Sequence, residues 1–217
     1  IPVPPSIMVD LVILFNFIVI ALNHLYRNYN TKLKIPLYLF ICLAWVGYCM
    51  VEVFNPASIF GNWMASIRSV ALYLCLFQFL VYYIFKDKSQ LRSFFIFWAI
   101  LVLLAALKAI GQKFIGFDTD EKIWLYTLGA HTHLIYSGVR YFSFFTDAAN
   151  FGCHMGLGMV VFSILFFYEK SKSVRILYTV VAVLAMYGML ISGTRSAMAI
   201  PIAGYALQVA ELQCCCI

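Results

Sequence analysis

The sequence predicts an all-α polytopic transmembrane helical bundle of about seven spans, with one long outer-face loop over residues 111–150. Three observations predict it. The 217 residues are 64% hydrophobic and only 11% charged, against roughly 45–50% and about 25% in soluble domains, so there is too little charge to cover a soluble globule. Apolar runs recur that approach or reach the ~20 residues a helix needs to cross about 30 Å of hydrocarbon. The cations gather in alternate connections, as the positive-inside rule asks of short cytoplasmic loops.

The runs are Ile7 to Leu25, Ile35 to Phe54, Ile67 to Phe85, Ser93 to Ile110, Phe151 to Tyr168, Ile176 to Ile191 and, marginal in length, Ala197 to Leu212. Pro201 sits in the first turns of the last, where a missing N–H is tolerated. Arg27, Lys32 and Lys34 mark the first connection, Lys86, Lys88 and Arg92 the third, and Lys170, Lys172 and Arg175 the fifth. These are nine of the fifteen Lys and Arg. The even connections are poorer: Asn55 to Ser66 has none and Ser192 to Ser196 only Arg195. One alternating topology fits, with the N-terminus outside and the C-terminus inside.

Residues 111–150 are the one long connection. They are rich in Tyr, Phe, Trp and Leu, so they are expected to lie on the membrane surface or fold back over the bundle. The chain begins with Ile1 and has no signal-peptide n-region; both ends are expected to be cut from something longer. Three regions follow: N-terminal transmembrane helices (1–69), a second membrane region (70–212) and a short terminal tail (213–217).

The net charge of +6 is explained by the cytoplasmic loops, and no basic cluster with interleaved aromatics indicates nucleic acid. Cys42, Cys49, Cys75 and Cys153 lie in or at apolar runs and read as small hydrophobes; the terminal Cys214 to Cys216 reads as a truncated end. No phosphate-binding glycine loop, HExxH or CxxC is present, so no cofactor and no metal is expected.

Two arginines stand out. Arg140 lies in Tyr136-Ser-Gly-Val-Arg-Tyr-Phe-Ser-Phe-Phe-Thr-Asp-Ala-Ala-Asn-Phe-Gly152, and Arg195 in Ile191-Ser-Gly-Thr-Arg-Ser-Ala197. The topology puts both at the outer face, each before a helix start. Thr146 or Asp147 can cap the fifth span, and Ser192 or Thr194 the seventh. Free N–H groups and a guanidinium together suit phosphate or pyrophosphate; the plain alternative is an arginine that snorkels to the interface. Asn150 shares a helix face with Asp147. Arg68 is a third outer-side arginine. His131 and His133, with Asp147, are the local candidates for a base, and Glu52 and His154 are weaker ones.

The two motifs resemble those of the O-antigen ligase and O-antigen polymerase-like family of bacterial membrane glycosyltransferases. In that family an Arg, then a Phe and a Pro-Asn or similar pair, then a Gly open a span; the match here is Arg140, Phe145, Asp147, Asn150 and Gly152. A later span opening is matched by Ser192-Gly-Thr-Arg195-Ser196-Ala197. The likeness covers mainly residues 70–212. Ala149 stands where the family usually has proline, and the chain ends before the large outer loop that carries a histidine in the family. The resemblance implies an inner-membrane enzyme that transfers a glycan from undecaprenyl diphosphate to a sugar hydroxyl, on another glycan or a lipid A core. Arg140 and Arg195 would bind the diphosphate, and membrane lipids would surround the bundle. Two other readings are a transporter or flippase for a lipid-linked or anionic solute, and a structural subunit with no site.

Overall fold

The computed structural model describes residues 5–27, 36–56, 59–85, 87–136 and 138–215. Eight helices carry the fold: α1 (Pro5–Arg27), α2 (Leu37–Val51), α3 (Phe60–Ile84), α4 (Lys88–Phe114), α5 (Thr119–Thr127), α6 (Ala148–Tyr168), α7 (Lys172–Ile191) and α8 (Ala199–Cys215). A 3-10 turn, Glu52–Phe54, extends α2, and another, Ser196–Met198, leads into α8. The described strands are a two-residue antiparallel pair, Leu134–Ile135 with Gly138–Val139. The fold is all-α.

Among the described residues five helices are long and apolar enough to cross a membrane: Leu37–Phe54, Phe60–Ile84, Lys88–Phe114, Ala148–Tyr168 and Lys172–Ile191. Two shorter apolar helices, Met8–Leu22 and Ser196–Ala210, correspond to the first and seventh expected spans. Lys32, Lys34 and Lys86, part of the expected basic connections, lie outside the described residues, as do Cys216 and Ile217.

Contacts divide the chain into two compact units, Ile1–Leu91 and Arg92–Ile217. In the first, α1 and α2 pack on α3. Trp45 donates its indole N–H to the Val70 carbonyl at 3.2 Å, and Trp63 donates to the Cys49 carbonyl at 2.9 Å. These pairings run in opposite chain directions, so α2 and α3 are antiparallel. The helix α3 begins at Phe60, ahead of the expected Ile67, because Gly61, Asn62 and Ser66 lower hydropathy without stopping a helix. It passes through a π turn at Arg68–Leu72. Such a turn displaces the regular i→i−4 ladder, and Trp45 binds a carbonyl inside it.

In the second unit α4, α6, α7 and α8 pack through small residues. Ala99, Val102, Ala106 and Ala109 of α4 meet Phe151, Met155 and Phe162 of α6 and Val181, Ala185 and Met189 of α7. Small side chains let helix backbones approach where lipid supplies no hydrophobic drive. A Cβ on Gly204 would lie 2.7 Å from the Val160 side chain, and one on Gly158 3.2 Å from Val102. Trp98, Phe162 and Tyr178 form an aromatic column with centroids 5.0 and 5.4 Å apart.

One end of this unit is basic. Arg92 forks onto Glu169 at 2.9 and 3.3 Å, and Arg175 donates to the Glu169 carbonyl at 2.8 Å. The hydrogen bonds from Arg92 hold the Glu169 carboxyl below the usual carboxylate range. The other end, where α4 and α7 finish and α6 begins, carries a folded cap. Residues 111–150 are not an open loop there: α4 runs on to Phe114, α5 follows, and a hairpin and a compact turn lead into α6.

Candidate functional site: the cap and the link between α7 and α8

Asp118 and Glu121 start α5 by capping each other's backbone. The Asp118 carboxylate accepts from the Thr119 N–H at 2.8 Å, and Glu121 accepts from the Asp118 N–H at 3.1 Å. This is a capping box. The other Glu121 oxygen accepts from Lys108 at 2.7 Å and from Gln112 at 3.1 Å, both on α4. Burial pushes the Glu121 carboxyl up, but the Lys108, Asp118 and Gln112 hydrogen bonds outweigh it, so the group sits below its ordinary range.

Gln112 is buried and serves a second purpose. Its carbonyl accepts the Ser143 N–H at 2.9 Å and its amide donates to the Ser143 carbonyl at 3.2 Å. Ser143 has φ 55°, a left-handed conformation that costs roughly 1–2 kcal/mol for a residue with a Cβ. Its hydroxyl donates to the Ala105 carbonyl at 2.7 Å. Three hydrogen bonds therefore hold the strained turn against α4.

His133 is 1% exposed and both ring nitrogens are engaged. Nε2 accepts from the Ala148 N–H at 3.2 Å, the first residue of α6. An acceptor at Nε2 places the proton on Nδ1, which lies 3.1 Å from the Gly129 carbonyl and 2.7 Å from the Thr132 hydroxyl. Trp124 and Phe142 pack edge-on against the ring at 5.1 Å. A Cβ on Gly129 would lie 2.8 Å from the Trp124 ring. His133 is thus a buried cap for α6, alongside Asp147, which accepts from the Asn150 N–H at 3.3 Å. His131, on the same helical turn, is exposed.

Arg140 ties the cap to the bundle. Nε donates to the Ser192 carbonyl at 3.1 Å, Nη1 to the Thr132 carbonyl at 3.1 Å and Nη2 to the Thr194 hydroxyl at 2.6 Å. Thr194 passes its own proton to the Ala148 carbonyl at 3.2 Å. Gly193 between them has φ 63°, and a Cβ there would lie 3.3 Å from the Arg140 side chain, so glycine is needed twice over.

The expected capping of α8 by Ser192 or Thr194 is not what forms. Ser192 ends α7 and donates to the Met189 carbonyl at 2.7 Å, while Thr194 faces Arg140 and α6. The 3-10 turn opens at Arg195 with no side-chain cap. The Ser192 hydroxyl turns back to the end of α7 and accepts the Thr194 N–H at 3.3 Å, while the Thr194 hydroxyl reaches the start of α6, so neither caps α8.

Arg140 thus grips the residue next to Arg195. Arg195 itself is exposed, and among the described residues its side chain makes no hydrogen bond. Neither arginine has a carboxylate at ion-pair distance among those residues. Asn150 is exposed one turn into α6, with the His154 ring 2.8 Å from its carbonyl. Arg68 belongs to the first unit, 3.2 Å from Asp10. Glu52 accepts from Asn55 at 3.1 Å, also in that unit. Among the described residues no three His, Cys, Asp or Glu come together as a metal-ligand set.

Lys108, Gln112 and Ser143 escaped sequence reasoning; a Lys and a Gln four apart near a helix end was the available signal. Comparison with protein-family models, curated proteins and solved structures finds no match.

Proposed function

We propose that this chain is a membrane glycosyltransferase of the O-antigen ligase or polymerase type, working at the outer face of a bacterial inner membrane. The donor is a glycan on undecaprenyl diphosphate and the acceptor a sugar hydroxyl, on another glycan or on lipid A core. Met8–Leu22 and Ser196–Ala210 are read as two further crossings, which gives seven spans. The motif resemblance supports the reaction class. The observation that carries it is the uncompensated pair of arginines, one clamping the link between α7 and α8, the other free at its end.

The chemistry suits those residues. The acceptor oxygen forms a bond to the anomeric carbon, the bond from that carbon to the diphosphate breaks, and the electron pair leaves on the diphosphate oxygen. Positive charge placed where this negative charge gathers stabilises the transition state. Arg195 supplies it by direct contact, and Arg140 adds charge while fixing the backbone that carries Arg195. The acceptor proton needs a base. Of the local candidates, His131 has the accessible ring, whereas His133 and Asp147 already cap α6.

Replacement of Arg195 by Lys in the full-length protein tests the reading. Loss of the bidentate fork is expected to remove the glycan ladder on the cell surface while protein abundance stays unchanged. A wild-type ladder from that variant refutes the assignment. Movement of lipid-linked glycan across the membrane without any new glycosidic linkage points to a transporter instead.

A further inference from the structure

The first unit holds a charged cluster and an apolar groove on the same helix faces. Asp10 accepts from Arg68 Nη1 at 3.2 Å with one oxygen and from the Tyr73 hydroxyl at 2.6 Å with the other. The Arg68 and Asp10 side chains are 44% and 39% exposed. Among the described residues Arg68 makes this one hydrogen bond, so Nε and Nη2 are free donors. Each Asp10 oxygen retains a second lone pair.

Charges inside a membrane helix mark function unless a partner explains them. Here the pair is joined yet remains open on one side. Below it runs a groove of about 310 Å³, lined by Phe17 of α1, Leu43 and Val46 of α2, and Leu72, Leu76 and Phe79 of α3. Leu72, the last residue of the π turn that Arg68 opens, lines the groove with Leu76 and Phe79, and Phe17 lies two α-helical turns beyond Asp10, so the cluster stands at one end of the groove. The eleven steps from Arg68 to Phe79 along α3 span about 16 Å, close to half the ~30 Å hydrocarbon thickness. That is the depth of one leaflet.

We propose that the cluster and groove form a site for a zwitterionic phospholipid whose headgroup carries both a phosphate and a primary ammonium. One chain lies in the groove. The phosphate takes the free Nε and Nη2 donors of Arg68, and the ammonium takes the open lone pairs of Asp10. A lipid with only negative charge would meet the Asp10 carboxylate beside the guanidinium and is disfavoured. A trimethylammonium headgroup has no N–H to offer Asp10. The site stands independently of the glycan chemistry.

The test is native mass spectrometry of the purified full-length protein in an equimolar micellar mixture of phosphatidylethanolamine, phosphatidylcholine and phosphatidylglycerol. The expected order of retention is ethanolamine, then choline, then glycerol. Asp10→Asn should cut the ethanolamine preference roughly tenfold, the loss of one charge-assisted hydrogen bond. Leu76→Trp, which fills the groove without touching the charges, should reduce retention of all three. Equal or stronger retention of phosphatidylglycerol by the unaltered protein overturns the proposal, and that comparison needs no variant to fold. An ethanolamine preference that survives Asp10→Asn also overturns it.

Discussion

The Arg140 guanidinium donates to two carbonyls and a hydroxyl and meets no carboxylate at ion-pair distance among the described residues. Arg140 is therefore a fastener and a source of positive potential at once, whereas Arg195 has no fastening duty. The two should separate on substitution. Arg140→Lys leaves the Ser192 carbonyl at the α7 terminus short of a donor, at about 1–3 kcal/mol for an orphaned buried group. It should lower the midpoint of thermal unfolding, while Arg195→Lys leaves that midpoint unchanged. Gly193→Ala meets both a left-handed backbone and the Arg140 stem and should destabilise by at least about 1–2 kcal/mol, visible in the same melt. His133→Ala should cost a similar amount, because the Ala148 N–H loses its acceptor and a cavity opens between Trp124 and Phe142. These roles were only partly legible in sequence. The two arginines and Asp147 announced themselves by type and position; the buried capping by His133 did not. His-Thr-His on a single turn gives no hint of which imidazole faces inward. The outcome depends on Trp124 and Phe142, nine residues either side of His133.

At the scale of the elements, one carboxylate both caps α5 and ties it to α4. Glu121 completes the capping box and receives Lys108 and Gln112. Its depressed folded-state pKa means that it stabilises the cap above the ordinary glutamate range and that this contribution is lost as pH falls through the depressed value. Acidification should loosen α5 before the bundle, seen as faster amide exchange over residues 119–127, and Glu121→Gln should remove that pH dependence. Gln112→Leu strips both partners from the strained Ser143 backbone and should release the same segment at neutral pH. The sequence leaves residues 111–150 either on the membrane surface or folded back over the bundle, because aromatic content alone does not say where a helix starts. The capping box, Asp118 to Glu121, was the overlooked local signal. The helix α3 was read short for a related reason: hydropathy stops at Ser66, but backbone hydrogen bonding continues through the π turn to Phe60.

For the whole molecule, composition and the length of the apolar runs are enough to predict an all-α fold with helices long and apolar enough to cross a membrane, because both follow from lipid as solvent. They do not reveal how the chain divides. The break between Leu91 and Arg92 arises from which small residues interlock, namely Ala99, Ala106, Gly158 and Gly204 in the second unit, and apolar periodicity is blind to that. The measurement that bears most directly on the central claim is the affinity of the purified full-length protein for undecaprenyl diphosphate, wild type against Arg195→Gln. A free guanidinium that contacts the diphosphate predicts binding weaker by roughly tenfold or more, with the thermal midpoint unchanged. Equal affinity in the two proteins would contradict the account.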